Sequence, residues 1–174
     1  MMDALWLWLA LALLVFWMLG AHNRLVRLRG QVRLAFQAVD QCYSQYLRLV
    51  DTHMPHMADT SLTAAQAGLR GAVVQFDNSL RAARREVLDA AALAGLLAAH
   101  TTLQVWWLRL QESAHHSASG LVQPWQDEWT EVTRQAVDAV TRFNQAADRH
   151  DAAIGQFPAL LLAHMFGFRA VGAL

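Results

Sequence analysis

Lysine is absent from this chain: all 14 basic residues are arginine, balanced by 14 acidic ones. A net charge of zero removes the broad positive footprint of a nucleic-acid binder, so no nucleic acid is expected as partner. One cysteine, Cys42, excludes an intrachain disulfide framework and a cysteine-based zinc site. Charged residues make up 16% of the chain, well under the usual quarter. Glutamate is scarce as well. Glu86, Glu112, Glu128 and Glu131 supply one Glu-x-x-His motif, Glu112 to His115, where a di-iron bundle needs two motifs and further inward Glu residues. Neither a Gly-x-Ser-x-Gly nucleophile motif nor a phosphate-binding glycine loop followed by lysine is present. Gly68 and Gly71 fall inside a helical pattern, and Cys42 reads as a small apolar filler. No catalytic residue and no cofactor is therefore expected, and the chain reads as a non-enzyme.

What is present in abundance is apolar surface: 55% of the 174 residues are hydrophobic, enough for one domain. Ala4 to Ala21 run for eighteen residues without a charge, the short end of what crosses a hydrocarbon core of about 30 Å. Trp6, Trp8 and Trp17 lie toward its ends, where amphipathic rings favour the headgroup region. A cleaved signal peptide would need a basic start, and only Met1, Met2 and Asp3 precede the run. A buried soluble helix is the other alternative, but soluble helices rarely run eighteen residues with no polar face. The segment reads as a retained single-span anchor. Arg24, Arg27, Arg29 and Arg33 come soon after it, so the positive-inside rule predicts an external N-terminus and a cytoplasmic remainder. Each arginine near an anionic leaflet adds about 1 kcal/mol of attraction. Trp6, Trp17, Arg24, Arg27 and Arg29 are the expected membrane-interface residues.

Beyond the span the helical pattern continues. Leu25, Leu28, Val32, Phe36, Val39, Tyr43, Tyr46 and Val50 recur every three or four residues, a coiled-coil-like stripe. The first proline is Pro55, so helix 1 is predicted to reach about residue 52. A loop comes next, with Thr60 or Ser61 as the cap of a second helix over about 61–88. That helix carries Leu62, Leu69, Val73, Phe76, Leu80, Val87 and Leu88 inward, and Asp77 before Arg81 as a helix-face pair. Asp89 is the expected cap of a third helix over about 90–114, although the alanines from 91 to 99 would also let helix 2 continue. A fourth helix is predicted over about 121–156, with Pro124 in its first turn and Trp125, Trp129, Val132, Ala136, Val140, Phe143, Ala147 and Ile154 inward. The predicted class is all-α: a transmembrane helix continuing into an up-down-up-down antiparallel four-helix bundle, residues 22–156. The apolar tail, 157–174, is expected at the membrane-proximal end. It either packs on the bundle base or dips into the lipid interface through Phe166 and Phe168.

Two clusters invite a functional reading. His53 and His56 in the first loop and His115 and His116 in the third would share the membrane-distal end, as candidate metal ligands or a pH-responsive group. Solvated loop histidines explain the same residues, and no metal is assigned. His100, His150 and His164 read as packing residues. Trp106 and Trp107 are adjacent, so both cannot face the core and one is expected to be partly exposed; both are candidates for a partner surface, and packing at the core edge explains them as well.

Two stretches resemble the LemA family of bacterial membrane-anchored helical proteins. His22-Asn-Arg-Leu-Val-Arg-Leu-Arg29, followed by Val32, Ala35, Phe36, Val39 and Asp40, resembles its juxtamembrane pattern. Phe143-Asn144, Ile154, Phe157-Pro158, Ala163 and Phe166-Gly167-Phe168 resemble its C-terminal pattern. His150-Asp151 stands where the family has a second Tyr-Asn; the Glu-Asn of the fourth helix and the Ile-Pro ending the first are missing. The resemblance implies an inner-membrane protein with one span, an external N-terminus and a cytoplasmic bundle, and it transfers no catalytic residues. The expected function is a membrane-anchored scaffold that binds an unidentified protein and self-associates through helix 1. The alternative is a periplasmic bundle that senses a metal or ligand through its loop histidines.

Overall fold

The computed structural model describes residues 2–56, 63–116, 122–155 and 170–174. Four helices pack against one another, and no strand occurs among the described residues. The first, α1, runs without a break from Met2–His53, about 78 Å at 1.5 Å per residue. Leu, Ala and Arg favour helix throughout it, and it stops just before Pro55, which disfavours α conformation at the preceding residue. A single 3-10 turn over Met54–His56 closes it.

Helix α2 covers Thr63–Arg85 and α3 covers Ala90–His116. The break between them is made by Asp89. Its carboxylate accepts the amide N–H of Ala91 at 3.2 Å and of Ala92 at 3.3 Å, satisfying two donors at a helix start. Val87 and Leu88 thus sit in the turn and not in α2, half-buried against the core. Helix α4 covers Gln123–Ile154, with Pro124 in its first turn, where a missing N–H costs nothing. The candidate caps Thr60 and Ser61, together with Leu62, lie outside the described residues, as do His164, Phe157, Phe166 and Phe168.

Each helix buries one stripe spaced by threes and fours. On α1 the stripe is Leu25, Val32, Phe36, Val39, Tyr43, Tyr46 and Val50; on α4 it is Trp125, Trp129, Val132, Ala136, Ala139, Phe143 and Ala147. The backbones approach most closely in two pairs, α1 with α4 and α2 with α3. Alanines at 65, 72, 83, 99 and 114 are the small buried residues of α2 and α3. Large rings fill the space between the pairs. Tyr43 meets Phe76 at 5.2 Å, and Trp107 of α3 stacks on Trp129 of α4 at 4.3 Å between centroids. Such ring pairs add about 0.5–1.5 kcal/mol each beyond area burial. On the surface, Arg81 pairs with Asp77 at 2.6 Å, and Arg84 reaches across to Asp40 at 2.7 Å and Ser44 at 2.8 Å.

The C-terminal residues are pinned to α4. The Asn144 side chain both donates to the Leu174 carbonyl and accepts the Leu174 N–H, each at 2.9 Å. Two helical turns later, the Asp151 carboxylate accepts the Val171 N–H at 3.0 Å, and Val171 is fully buried. Residues 170–174 therefore pack on the bundle; the rest of the tail lies outside the described residues.

Gly68 is fixed by its neighbour, because a Cβ there would collide with the six-membered ring of Trp106. Gly68→Ala alone is expected to destabilise the chain by about 1–3 kcal/mol through overpacking. In a Trp106→Ala background the same change should stabilise by up to about 1 kcal/mol, since alanine is the better helix former. Denaturation of the four-membered mutant cycle in detergent checks this; the same sign in both backgrounds would contradict the contact.

Candidate functional site

Three places bear on function: the apolar N-terminal length of α1, the outer face of α3, and a polar layer inside the bundle. The first is the most exposed. Trp6, Leu7, Trp8, Leu9, Leu13 and Phe16 are all more than half exposed, Phe16 by 78%. Only 6% of the most apolar eighteen-residue window of α1 is buried. Contiguous apolar surface on this scale marks contact with lipid or with another protein. Trp17, at 46% exposure, stands near the far end of the run. Beyond it Arg24 and Arg27 occupy exposed positions, and Arg29 is half-buried.

Helix α3 is the second helix long and apolar enough to cross a membrane. Its Leu93, Leu96, Ala99, Leu103, Trp107 and Leu110 are buried against the other helices, which makes that stripe core. The opposite face still displays Leu97, Val105 and Leu108, each more than two-fifths exposed.

This division separates the two candidate tryptophans. Trp107 is 3% exposed, stacked on Trp129 and edge-on to Trp125 at 4.6 Å, so it belongs to the core and not to a partner surface. Successive helical residues point about 100° apart, and Trp106 is turned outward accordingly. It lies half-buried, with Gly68 beneath it and the Arg109 guanidinium 4.7 Å from its ring centroid.

The loop histidines behave individually. His53 stacks on Trp125 with centroids 5.2 Å apart and stands 3.6 Å from the Glu128 carboxylate. His115 and His116 are exposed at the end of α3, and His116 Nδ1 bonds to the Glu112 carbonyl at 2.6 Å. The side chain of His56 lies outside the described ones. Among the described residues no three His, Cys, Asp or Glu side chains form a group that could hold a metal ion. Cys42 is buried, and burial pushes its thiol pKa up, away from nucleophilic character.

A polar layer that no sequence motif announces crosses the core at mid-height. Gln104 of α3 is its hub: its amide nitrogen donates to Tyr46 Oη at 3.2 Å and to His100 Nε2 at 3.1 Å. Its carbonyl accepts the Trp129 indole N–H at 3.2 Å. That N–H fixes which way the amide points, because the flipped amide would set donor against donor. Tyr46 in turn donates to Thr133 Oγ1 at 2.9 Å, and Thr133 donates to the Trp129 carbonyl at 2.8 Å. The layer ties α1, α3 and α4 at one height through directional bonds. With its donors and acceptors spent on one another, it reads as a register device and not as an open reaction site. His100 lies 4.8 Å from Tyr43 in a parallel stack. Accepting from Gln104 makes it neutral, and burial lowers its pKa to about 4.

No family model matches the chain, and comparison with curated proteins and with solved structures gives no match.

The His100 shift sets a pH dependence. Its folded pKa lies below the value of about 6.5 in an unfolded chain, so below pH 6.5 the unfolded state binds the extra proton. Stability is therefore expected to fall as pH drops from about 6.5 to 4, by at most about 3 kcal/mol from this group. Denaturation of the full chain in detergent across that window, beside His100→Phe, measures it. The variant should lose most of this slope; an equal slope in both would exclude His100 as its source.

Proposed function

We propose that this chain is a non-enzymatic, membrane-anchored helical scaffold of the bacterial inner membrane, with an external N-terminus and a cytoplasmic bundle. One observation carries the reading: α1 begins as a helix apolar on every side and nearly bare of protein contacts, then becomes a core helix without a break. Lipid is the solvent that such a helix fits. The arginines at 24, 27, 29 and 33 support a cytoplasmic location for the bundle. An up-down-up-down antiparallel bundle is supported by contacts in which one number rises as the other falls. Leu25 clusters with Ala153, Phe36 meets Phe143, Tyr46 bonds Thr133, and His53 meets Glu128. The bundle then stands on its span with the α2–α3 turn and the chain's C-terminal residues at the membrane-proximal end.

The partner surface in this reading is the outer face of α3, formed by Leu97, Val105 and Leu108, with the half-buried Trp106 at the margin next to α2. The LemA resemblance belongs to the same proposal, resting on residues 22–40 and 143–168.

A single cysteine tests both parts. In a Cys42→Ala background, Leu108→Cys should resist a membrane-impermeant maleimide in intact cells and react after lysis. A thiol crosslinker should then join this position to a second polypeptide, and should not do so from Thr141→Cys on α4. Labelling in intact cells would reverse the orientation. Equal crosslinking from both positions would remove the surface assignment.

A further inference from the structure

A cavity of about 980 Å³ opens where α1 leaves the apolar segment, between α1, the α2–α3 turn and the C-terminal end of α4. Its size is that of a site for a whole small molecule or headgroup. The walls carry Arg29 and Arg33 from α1, Arg85 from the end of α2, and His150 from α4. These come from three helices and meet only through the fold.

The charges around this cavity are unevenly spent. Arg84 is taken by Asp40, and the Asp89 carboxylate is taken by the first amides of α3. Among the described residues Arg29, Arg33 and Arg85 have no carboxylate partner, against one unspent acid on the wall, Glu86.

Two nitrogens at the site are buried without a hydrogen-bond partner: Nε of Arg29 and Nε2 of His150. A buried polar group left unpaired is costly, and a native fold that keeps two beside one cavity is arranged for something that completes them. His150 is 1% exposed, and its Nδ1 lies 3.0 Å from the Asp151 carboxylate, which is itself held by the Val171 N–H. A carboxylate on one ring nitrogen fixes the orientation of the imidazole, and its other nitrogen, Nε2, is the one left without a partner.

We infer that this cavity binds a phosphate-bearing ligand, held by Arg29, Arg33, Arg85 and His150. Planar guanidinium groups present paired N–H donors that match phosphate oxygens, and the His150 imidazole lies on the same wall. The phosphate has two sources. Arg29 lies eight residues past Ala21, about 12 Å along the helix, so in the anchored reading a lipid headgroup comes within reach of its side chain. A free phosphorylated metabolite is the other. Only the lipid source rests on the anchored reading; the cavity and its donors do not.

The test uses the full chain in nanodiscs. Glycerol phosphate is titrated calorimetrically into discs of phosphatidylcholine alone. Lipid retained per chain is counted by native mass spectrometry from discs that also contain phosphatidylglycerol. Saturable binding of glycerol phosphate, weakened about tenfold by Arg85→Gln and by His150→Gln but not by Arg70→Gln, supports the site with a soluble ligand. No glycerol phosphate binding, but one retained phosphatidylglycerol that Arg85→Gln releases and Arg70→Gln does not, supports the site with a lipid ligand. Arg85 is exposed, so its variant keeps the fold even where His150→Gln does not. Binding of neither probe, or binding that Arg85→Gln and Arg29→Gln leave unchanged, overturns the proposal.

Discussion

Because no helix stop falls between Met2 and His53, the apolar segment and the first core helix of the bundle form one rigid body. The two parts ask for different surroundings. The first eighteen apolar residues have no polar face, whereas from Leu25 onward a stripe recurs every three or four residues and the other positions turn to water. A continuous helix fixes the rotation of one part relative to the other at about 100° per residue. The direction in which the apolar segment leaves the protein thereby sets which way the bundle faces. Arg24, Arg27 and Arg29 fall in this hand-over zone, and the cavity opens at its edge.

Above that zone the bundle is held by a division of labour between small and large residues. Alanines recur on the buried faces of α2 and α3, while tyrosine, phenylalanine and tryptophan rings fill the interior between α2–α3 and α1–α4. Rings alone would leave the vertical register of these pairs loosely set, since apolar contacts have no direction. Gln104 supplies direction. Its amide meets Tyr46 of α1 and Trp129 of α4 at once, and shifting α3 by one residue would break both bonds and leave their groups buried and unpaired. The same layer introduces a titratable ring into the core, whose charging in acid the fold resists by burial.

Much of the fold is legible in the sequence because its signals are local. The stripes of α1 and α4 can be read directly, and Asp89 is a cap whatever surrounds it. The end of α2 is harder to read: Glu86 to Asp89 contain no glycine or proline, so Val87 and Leu88 look like two more helical core positions. On α3 the tryptophan pair cannot be assigned to faces from its own helix, because Leu97, Val105 and Leu108 make the outer side nearly as apolar as the inner one. Packing against Trp125 and Trp129 decides it, and that information lies in another helix. The candidate sites are less legible still. Arg29, Arg85 and His150 are distant in sequence, and nothing but tertiary structure gathers them. In sequence His150-Asp151 stands out only as a departure from a family pattern, yet the pair orients one wall of the cavity and anchors Val171.

In the membrane-anchored proposal one helix passes from lipid into the bundle core, and spin labels placed singly from residue 12 to residue 40 in reconstituted liposomes report the medium around each position. Oxygen access and nickel-chelate exclusion are predicted at every position through Ala21. Beyond it a 3.6-residue oscillation should appear, with minima at Leu25, Val32, Phe36 and Val39. Chelate access before residue 21, or a loss of helical periodicity between residues 21 and 32, would contradict it.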